Sequence, residues 1–264
     1  MKYGFIGVGN MASAIMGGVI GKGLATPDEI IGADLFAPGR ERVKAQYGIH
    51  VTADNKEVFE KAEIIVLSVK PQFYGDVISG IKDVVKENQI VITIAPGKTL
   101  AWLSEQFGKD VKIVRTMPNT PAMVGEGMTA ACPNEFVTEE DMAEVKKFLE
   151  SFSRVEVVPE RLMDTVTAVS GSSPAYVFMF IESMADAAVS CGMPRPQAYK
   201  FAAQAVLGSA KMVLETGKHP GELKDMVCSP AGTTIGAVRV LEERGFRSAV
   251  FEAVKECEEI SRSL

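Results

Sequence analysis

"KYGFIGVGNMASAIMGGVIGKG", residues 2–23, decides how the rest of the chain is read. An unbroken apolar run gives way at Gly7 to a glycine-bearing turn, and a helix-length segment opens at Asn10. Gly7, Gly9 and Ala12 hold the small positions of a G-x-G-x-x-G/A turn between a strand and a helix. In order, these small residues permit a tight turn, close approach of the backbone to a pyrophosphate, and close packing of helix on strand. The N–H groups at the start of such a helix face the phosphates. A ligand-free glycine turn is the plainer reading, and the position at the head of an alternating chain weighs against it.

That alternation continues outward. "EIIGAD" (29–34), "AEIIVLSVK" (62–70), "QIVITIAPG" (89–97) and "VKIVRTMPN" (111–119) are short, β-branched apolar runs bounded by Gly, Pro or Asn, most of them separated by helix-length stretches. Near-continuous apolar strands imply a sheet covered on both faces, with right-handed crossovers. "GMTAAC" (127–132) and "RVEVVP" (154–159) flank the helix "EEDMAEVKKFLESF" and extend one edge. The fold class predicted is α/β: a Rossmann-type doubly wound sheet over residues 1–160. After Arg161 the character changes to helices closed by Gly192, Gly217 and Gly245, with Pro174 and Pro196 in first turns, so residues 161–264 are predicted to form an all-α domain. The helix "SPAYVFMFIESMADAAVSCG" is apolar around most of its circumference. A domain of this size has too few partners to cover it, which predicts dimerisation; burial at the centre of a compact bundle is the alternative.

The formal net charge of −6, with no run of like charges, argues against a nucleic-acid partner or an anionic membrane surface. Four scattered cysteines fit neither a metal site nor a disulfide framework, and the expected compartment is a reducing cytoplasm. Glu182 and Asp186 interrupt the most apolar helix and exclude it as a membrane span.

Asp34 lies about 20 residues beyond Ala12 at the end of the second strand, where a carboxylate accepts from an adenosine 2′-hydroxyl and repels a 2′-phosphate. Arg40 and Arg42 follow in one loop and could hold that phosphate, so the residues alone leave NAD and NADP open. Lys70 and Pro71, at the end of the run 62–70, fall where open α/β sheets bind ligands, beyond the carboxyl ends of the strands. Only two histidines are present, His50 and His219, and neither has an evident carboxylate to orient it. Chemistry without a strong protein acid is favoured, and reduction of a protonated C=N bond is one such reaction. The hydroxyl-rich "CSPAGTTIGAV" (228–238) would then serve as a carboxylate cradle: a helix starting near Thr233 offers the N–H groups of Gly232, Thr233 and Thr234, with hydroxyls from Ser229 and Thr234. Ser and Thr are also common caps, and an N-cap with a glycine hinge is the competing reading.

"GFIGVGNMA", "VKP", "MPNTP", "VSGSSPAYVF" and "KDMVCSPAGTTIGAV" together resemble the pyrroline-5-carboxylate reductase family, along essentially the whole chain. The resemblance implies NAD(P)H-dependent reduction of 1-pyrroline-5-carboxylate to L-proline by a Rossmann domain joined to a helical domain that interlocks into dimers or rings of dimers. It implies that Thr234 bonds the ring nitrogen, that Ser229 with Gly232 and Thr233 holds the carboxylate, and that Glu160 lies near the substrate. It assigns Ile6, Gly7, Val8, Gly9, Asn10, Met11, Asn55, Val69 and Lys70 to the dinucleotide, and no metal. Ser173 and Ala231 stand where many members have glycine, and Asp34 where NADPH users carry small or hydroxyl residues. Family habit puts NADPH first, with NADH close behind. Two alternatives are a β-hydroxyacid-dehydrogenase-like oxidoreductase, for which Lys200 or Lys211 would face the nicotinamide, and a nucleotide sensor without turnover.

Overall fold

The computed structural model describes residues 1–263. The chain divides into two compact units, residues 1–172 with those from 257 onward, and residues 173–256. The break therefore lies a dozen residues beyond the expected 160/161 boundary, and the C-terminal residues return to the first unit.

The first unit alternates as its sequence predicts: β1 (Tyr3–Ile6), α1 (Asn10–Gly21), β2 (Ile30–Ala33), α2 (Ala37–Tyr47), β3 (His50–Thr52), α3 (Asn55–Lys61), β4 (Ile64–Leu67), α4 (Tyr74–Ile81), β5 (Ile90–Thr93), α5 (Leu100–Phe107), β6 (Lys112–Met117), β7 (Gly127–Pro133), α6 (Glu139–Leu149) and β8 (Ser153–Val157). The strands form one sheet in the order β3-β2-β1-β4-β5-β6-β7-β8. All pairs are parallel except β6 with β7. β1, β2, β4 and β5 are buried at every residue, which is why they read as unbroken apolar runs. The short, half-exposed β3 at the sheet edge has no such run and was not anticipated.

Two apolar layers cover the sheet. One packs Phe5, Met16, Phe148 and Phe152 together; the other packs Ile31, Phe59, Leu67 and Tyr74. The Tyr74 hydroxyl donates to the carbonyl of Leu67 at 2.5 Å, and burial pushes its phenol well above the ordinary tyrosine value. The chain runs outward from β1 through β2 to β3 and then crosses to β4 on the other side, so the strand order reverses beside β1. A doubly wound sheet opens its ligand crevice at such a point, beyond the carboxyl ends of the strands.

After β8, a short helix α7 (Met163–Val166) runs into a π turn at Thr167–Gly171. The helices that follow are α8 (Ser173–Ser190), α9 (Arg195–Thr216), α10 (Pro220–Val227), α11 (Thr233–Glu243) and α12 (Phe246–Arg262). Gly192, Gly217 and Gly245 have positive φ, as their expected helix-terminating role requires. The end of α12 is held in the first unit by Ser261, whose hydroxyl donates to Asp164 at 2.8 Å. Within the second unit only Ala185, Ala198 and Ala202 are fully buried, while Phe178, Met179, Phe201, Leu214 and Phe251 are exposed.

Candidate functional site

The turn after β1 is built by its own backbone. Gly7 has φ +93°, and a β-carbon there would lie 2.9 Å from the carbonyl oxygen of Ser68. The Ser68 hydroxyl donates to the carbonyls of Ile6 and Gly7 at 3.0 and 2.8 Å, tying the β4 end to the turn. Gly9 is different: a β-carbon there would meet no protein atom within 4 Å. The protein does not need a glycine at that position, whereas a pyrophosphate approaching the backbone does. Gly9 also caps α1 without any side-chain hydrogen bond, leaving the first N–H groups of the helix for a ligand. The residues present thus fit a dinucleotide.

Asp34 closes the other side of this turn. Its Oδ2 accepts from Val8 N at 2.9 Å and its Oδ1 from Phe36 N at 2.9 Å. Arg40 Nη1 donates to the carbonyl of Asp34 at 2.5 Å, and Arg42 Nη2 to that of Val8 at 2.7 Å. A cavity of about 390 Å3 brings Gly7, Asp34, Asn55 and Val69 together, and Phe73 and Asp76 line it as well. A second, of about 500 Å3, joins Gly9, Asn10, Met11 and Lys70 to Gly7 and Asp34. Eight of the dinucleotide residues expected from the sequence, all but two, line one or both cavities. The exceptions are Ile6 and Val8, whose side chains are buried in the layers over the sheet; Val8 contributes through its backbone. Sequence reasoning passed over Phe73, Asp76, Ala95 and Pro96, which also line these spaces. "IAPG" at the end of β5 could have identified the last two by the strand-end rule.

In the second unit, α11 starts at Thr233, as expected, with Gly232 at its N-cap and no side-chain cap. The hydroxyls of Ser229, Thr233 and Thr234 are therefore not used as caps of this helix. One detail differs from expectation: the Gly232 N–H donates to the carbonyl of Ser229 at 3.0 Å and is not free. The N–H groups of Thr233 and Thr234, in the first turn, keep no intrahelical acceptor. Gly232 serves by its size, since a β-carbon would fall 2.4 Å from Ser229 Oγ. Ala231 has φ +57°, the one non-glycine residue with positive φ among the described residues.

Glu160, in the first unit, accepts through Oε1 from Arg115 Nη1 at 2.8 Å and from Leu100 N at 2.7 Å, so its carboxylate anchors β6 and the start of α5. Asn119 of "MPNTP" likewise ties the loop down, donating to the carbonyl of Ser170 and accepting from Met128 N. His219 caps α10, its Nδ1 accepting from Gly221 N at 3.0 Å. His50 is exposed, 3.8 Å from Asp28. Lys211 is exposed and paired with Glu215 at 3.4 Å, and Lys200 is exposed on the same helix. No group of three or more His, Cys, Asp or Glu residues placed to hold a metal occurs among the described residues. No helix there is long and apolar enough to cross a membrane.

Comparison with known proteins gives the same picture. A family model described as pyrroline-5-carboxylate reductase dimerisation matches residues 160–264, and one described as NADP oxidoreductase coenzyme F420-dependent matches residues 2–97. The chain is 54% identical to the pyrroline-5-carboxylate reductase of Escherichia coli (strain K12), covering 100% of this chain and 98% of that one. It is 46% identical to the enzyme of that name from Methanosarcina acetivorans, covering 100% and 97%. A solved pyrroline-5-carboxylate reductase from Coxiella burnetii superposes with a TM-score of 0.91 at 33% identity, covering 99% and 97%. A Plasmodium falciparum pyrroline carboxylate reductase solved with NADP bound also gives 0.91 at 33%, covering 100% and 97%. Beside the turn of Gly7 and Gly9 in one unit and the uncapped start of α11 in the other, full-length identity of this order has one consequence: the chain belongs to the pyrroline-5-carboxylate reductase family.

Proposed function

We propose that this chain reduces the C=N bond of 1-pyrroline-5-carboxylate to give L-proline, the last step of proline biosynthesis, with NAD(P)H as reductant. The observation that carries the reading is the start of α11, an uncapped helix N-terminus with three hydroxyls beside it and no strong acid. When bound, the dinucleotide supplies the hydride. The chain holds it with the Gly7–Met11 turn, Asp34, Asn55, Val69 and Lys70. The Thr234 hydroxyl holds the ring nitrogen. Ser229 Oγ and the N–H groups of Thr233 and Thr234 receive the carboxylate, at the end of the helix where partial positive charge collects. Gly232 keeps Ser229 in place. Glu160 belongs to the substrate end of the site in this reading, set by Arg115 and Leu100. An imine protonated in solution already carries the charge that draws hydride, so His219 is free to act as a helix cap.

The first unit acts as the coenzyme domain and the helical second unit as the substrate and dimerisation domain. A second copy covers the exposed apolar faces of α8 and α9, and dimers assemble further into rings. All four cysteines are free, which supports a reducing cytoplasm.

The test is loss of reduced-coenzyme absorbance on addition of 1-pyrroline-5-carboxylate, for the wild type and Thr234→Ala. The variant is expected to lose about 100-fold in kcat/KM, the cost of removing one well-placed donor. Wild-type protein that binds coenzyme and never consumes it would remove the reductase reading.

A further inference from the structure

We infer that Asp34 tilts the coenzyme choice of this chain toward NADH, by admitting the 2′-hydroxyl of the adenosine ribose and opposing a 2′-phosphate. The inference rests on the dinucleotide reading of the Gly7–Met11 turn and goes on to say which dinucleotide that turn favours. The Asp34 carboxylate is pinned from both sides, at 2.9 Å by Val8 N and at 2.9 Å by Phe36 N. It cannot swing away from an arriving ligand without freeing two backbone donors. Each carboxylate oxygen still has room to accept once more, and a ribose hydroxyl can donate where a phosphate dianion cannot.

The cations nearest Asp34 in the sequence are tied to the backbone of the turn. Arg40 Nη1 is bound to the carbonyls of Asp34 and Leu35, and Arg42 Nη2 to that of Val8. Each guanidinium is thereby tethered to the backbone of the turn, so its position is set by the fold. The cavity beside Asp34 carries a second carboxylate, Asp76, and neither lysine nor arginine among the residues lining it. Lys70 lines only the adjoining cavity, on the side of Gly9 and Asn10. Leu35 and Phe36, exposed and lining the same cavity, are apolar and offer an adenine ring a surface.

The experiment titrates the full chain with NADH and with NADPH by calorimetry at one ionic strength, without substrate. NADH is expected to bind at least about tenfold more tightly, since a like charge held against the ligand costs more than one decade of affinity. Asp34→Ser should bring the ratio near one, chiefly by strengthening NADPH. Because Asp34 also holds two backbone N–H groups, a melting curve accompanies the variant. If it does not fold, Arg40→Ala takes its place and should weaken both coenzymes alike. Equal or tighter binding of NADPH by the wild type overturns the inference, as does a selective loss of NADPH in Arg40→Ala. If neither coenzyme binds, the reductase reading falls too. If both bind in the expected ratio and 1-pyrroline-5-carboxylate consumes neither, only the reductase reading falls.

Discussion

The two glycine-bearing loops of this protein are finished to different degrees. In the first unit, the turn after β1 has its shape imposed from outside: Ser68 holds two carbonyls, Arg42 a third, and Asp34 an N–H group. In the second unit, the loop before α11 makes one backbone bond across itself, from Gly232 N to Ser229 O, and no side chain caps the helix that follows. Burial follows the same contrast, with a double-layered core around the sheet and three buried alanines among the helices. The turn in the first unit is tied down by its own chain, whereas the helical unit leaves apolar faces exposed.

Substitutions can break this comparison. The largest expected effect is Gly232→Ala, whose methyl would displace Ser229 Oγ. We expect kcat/KM to fall about 100-fold, as for an ångström of misplacement in a reacting site. Coenzyme affinity should not change. Steady-state kinetics beside a coenzyme titration checks both, and unaltered kinetics would show that the loop does not hold substrate.

Gly7→Ala should act on the fold itself, because it meets a backbone carbonyl and a positive φ at once. Unfolding in urea is expected to show a loss of about 2 kcal/mol. Gly9→Ala, with open space around its new methyl, should cost less than about 1 kcal/mol of stability. It should nevertheless weaken coenzyme binding by about tenfold. Equal losses of stability in the two variants would erase the distinction between a glycine the fold needs and one the ligand needs.

The smallest effect concerns α6, which supplies no residue to either loop. The Asp141 carboxyl lies below its ordinary value: burial opposes this, and the Lys112 ammonium with the Thr138 N–H and hydroxyl outweighs it. A carboxyl depressed on folding adds stability above its unfolded value of about 3.9 and loses it as pH falls through the folded value. Asp141→Asn should therefore cost about 1 kcal/mol at neutral pH, and the gap from wild type should close on acidification. A gap that does not change with pH would assign the effect to the capping geometry alone.

Much of this was legible in the chain. β1, β2, β4 and β5 announced themselves because strands buried on both faces must be apolar throughout, and Gly7 and Gly9 because a turn against phosphate tolerates little else. β3 was missed because an edge strand of three half-exposed residues needs no apolar pattern. Phe73 and Asp76 were missed because they reach the cavity from the turn and helix after β4, and nothing local marks that approach. The start of α11 was readable from Gly232 and the threonines, yet the use of the Gly232 N–H by Ser229 was not.

Periodicity and turn chemistry, both properties of neighbouring residues, determined the alternating first half and the helical second half, and the quoted motifs carried the family likeness. Tertiary structure alone decided whether a given polar group is spent. Arg40 and Arg42 could each hold a phosphate as read in sequence and are found on carbonyls, Glu160 is found on Arg115, and Asp34 is clamped by two backbone N–H groups. Hydrogen-bond partners are fixed by distances between residues far apart in the chain, and no local pattern encodes those distances.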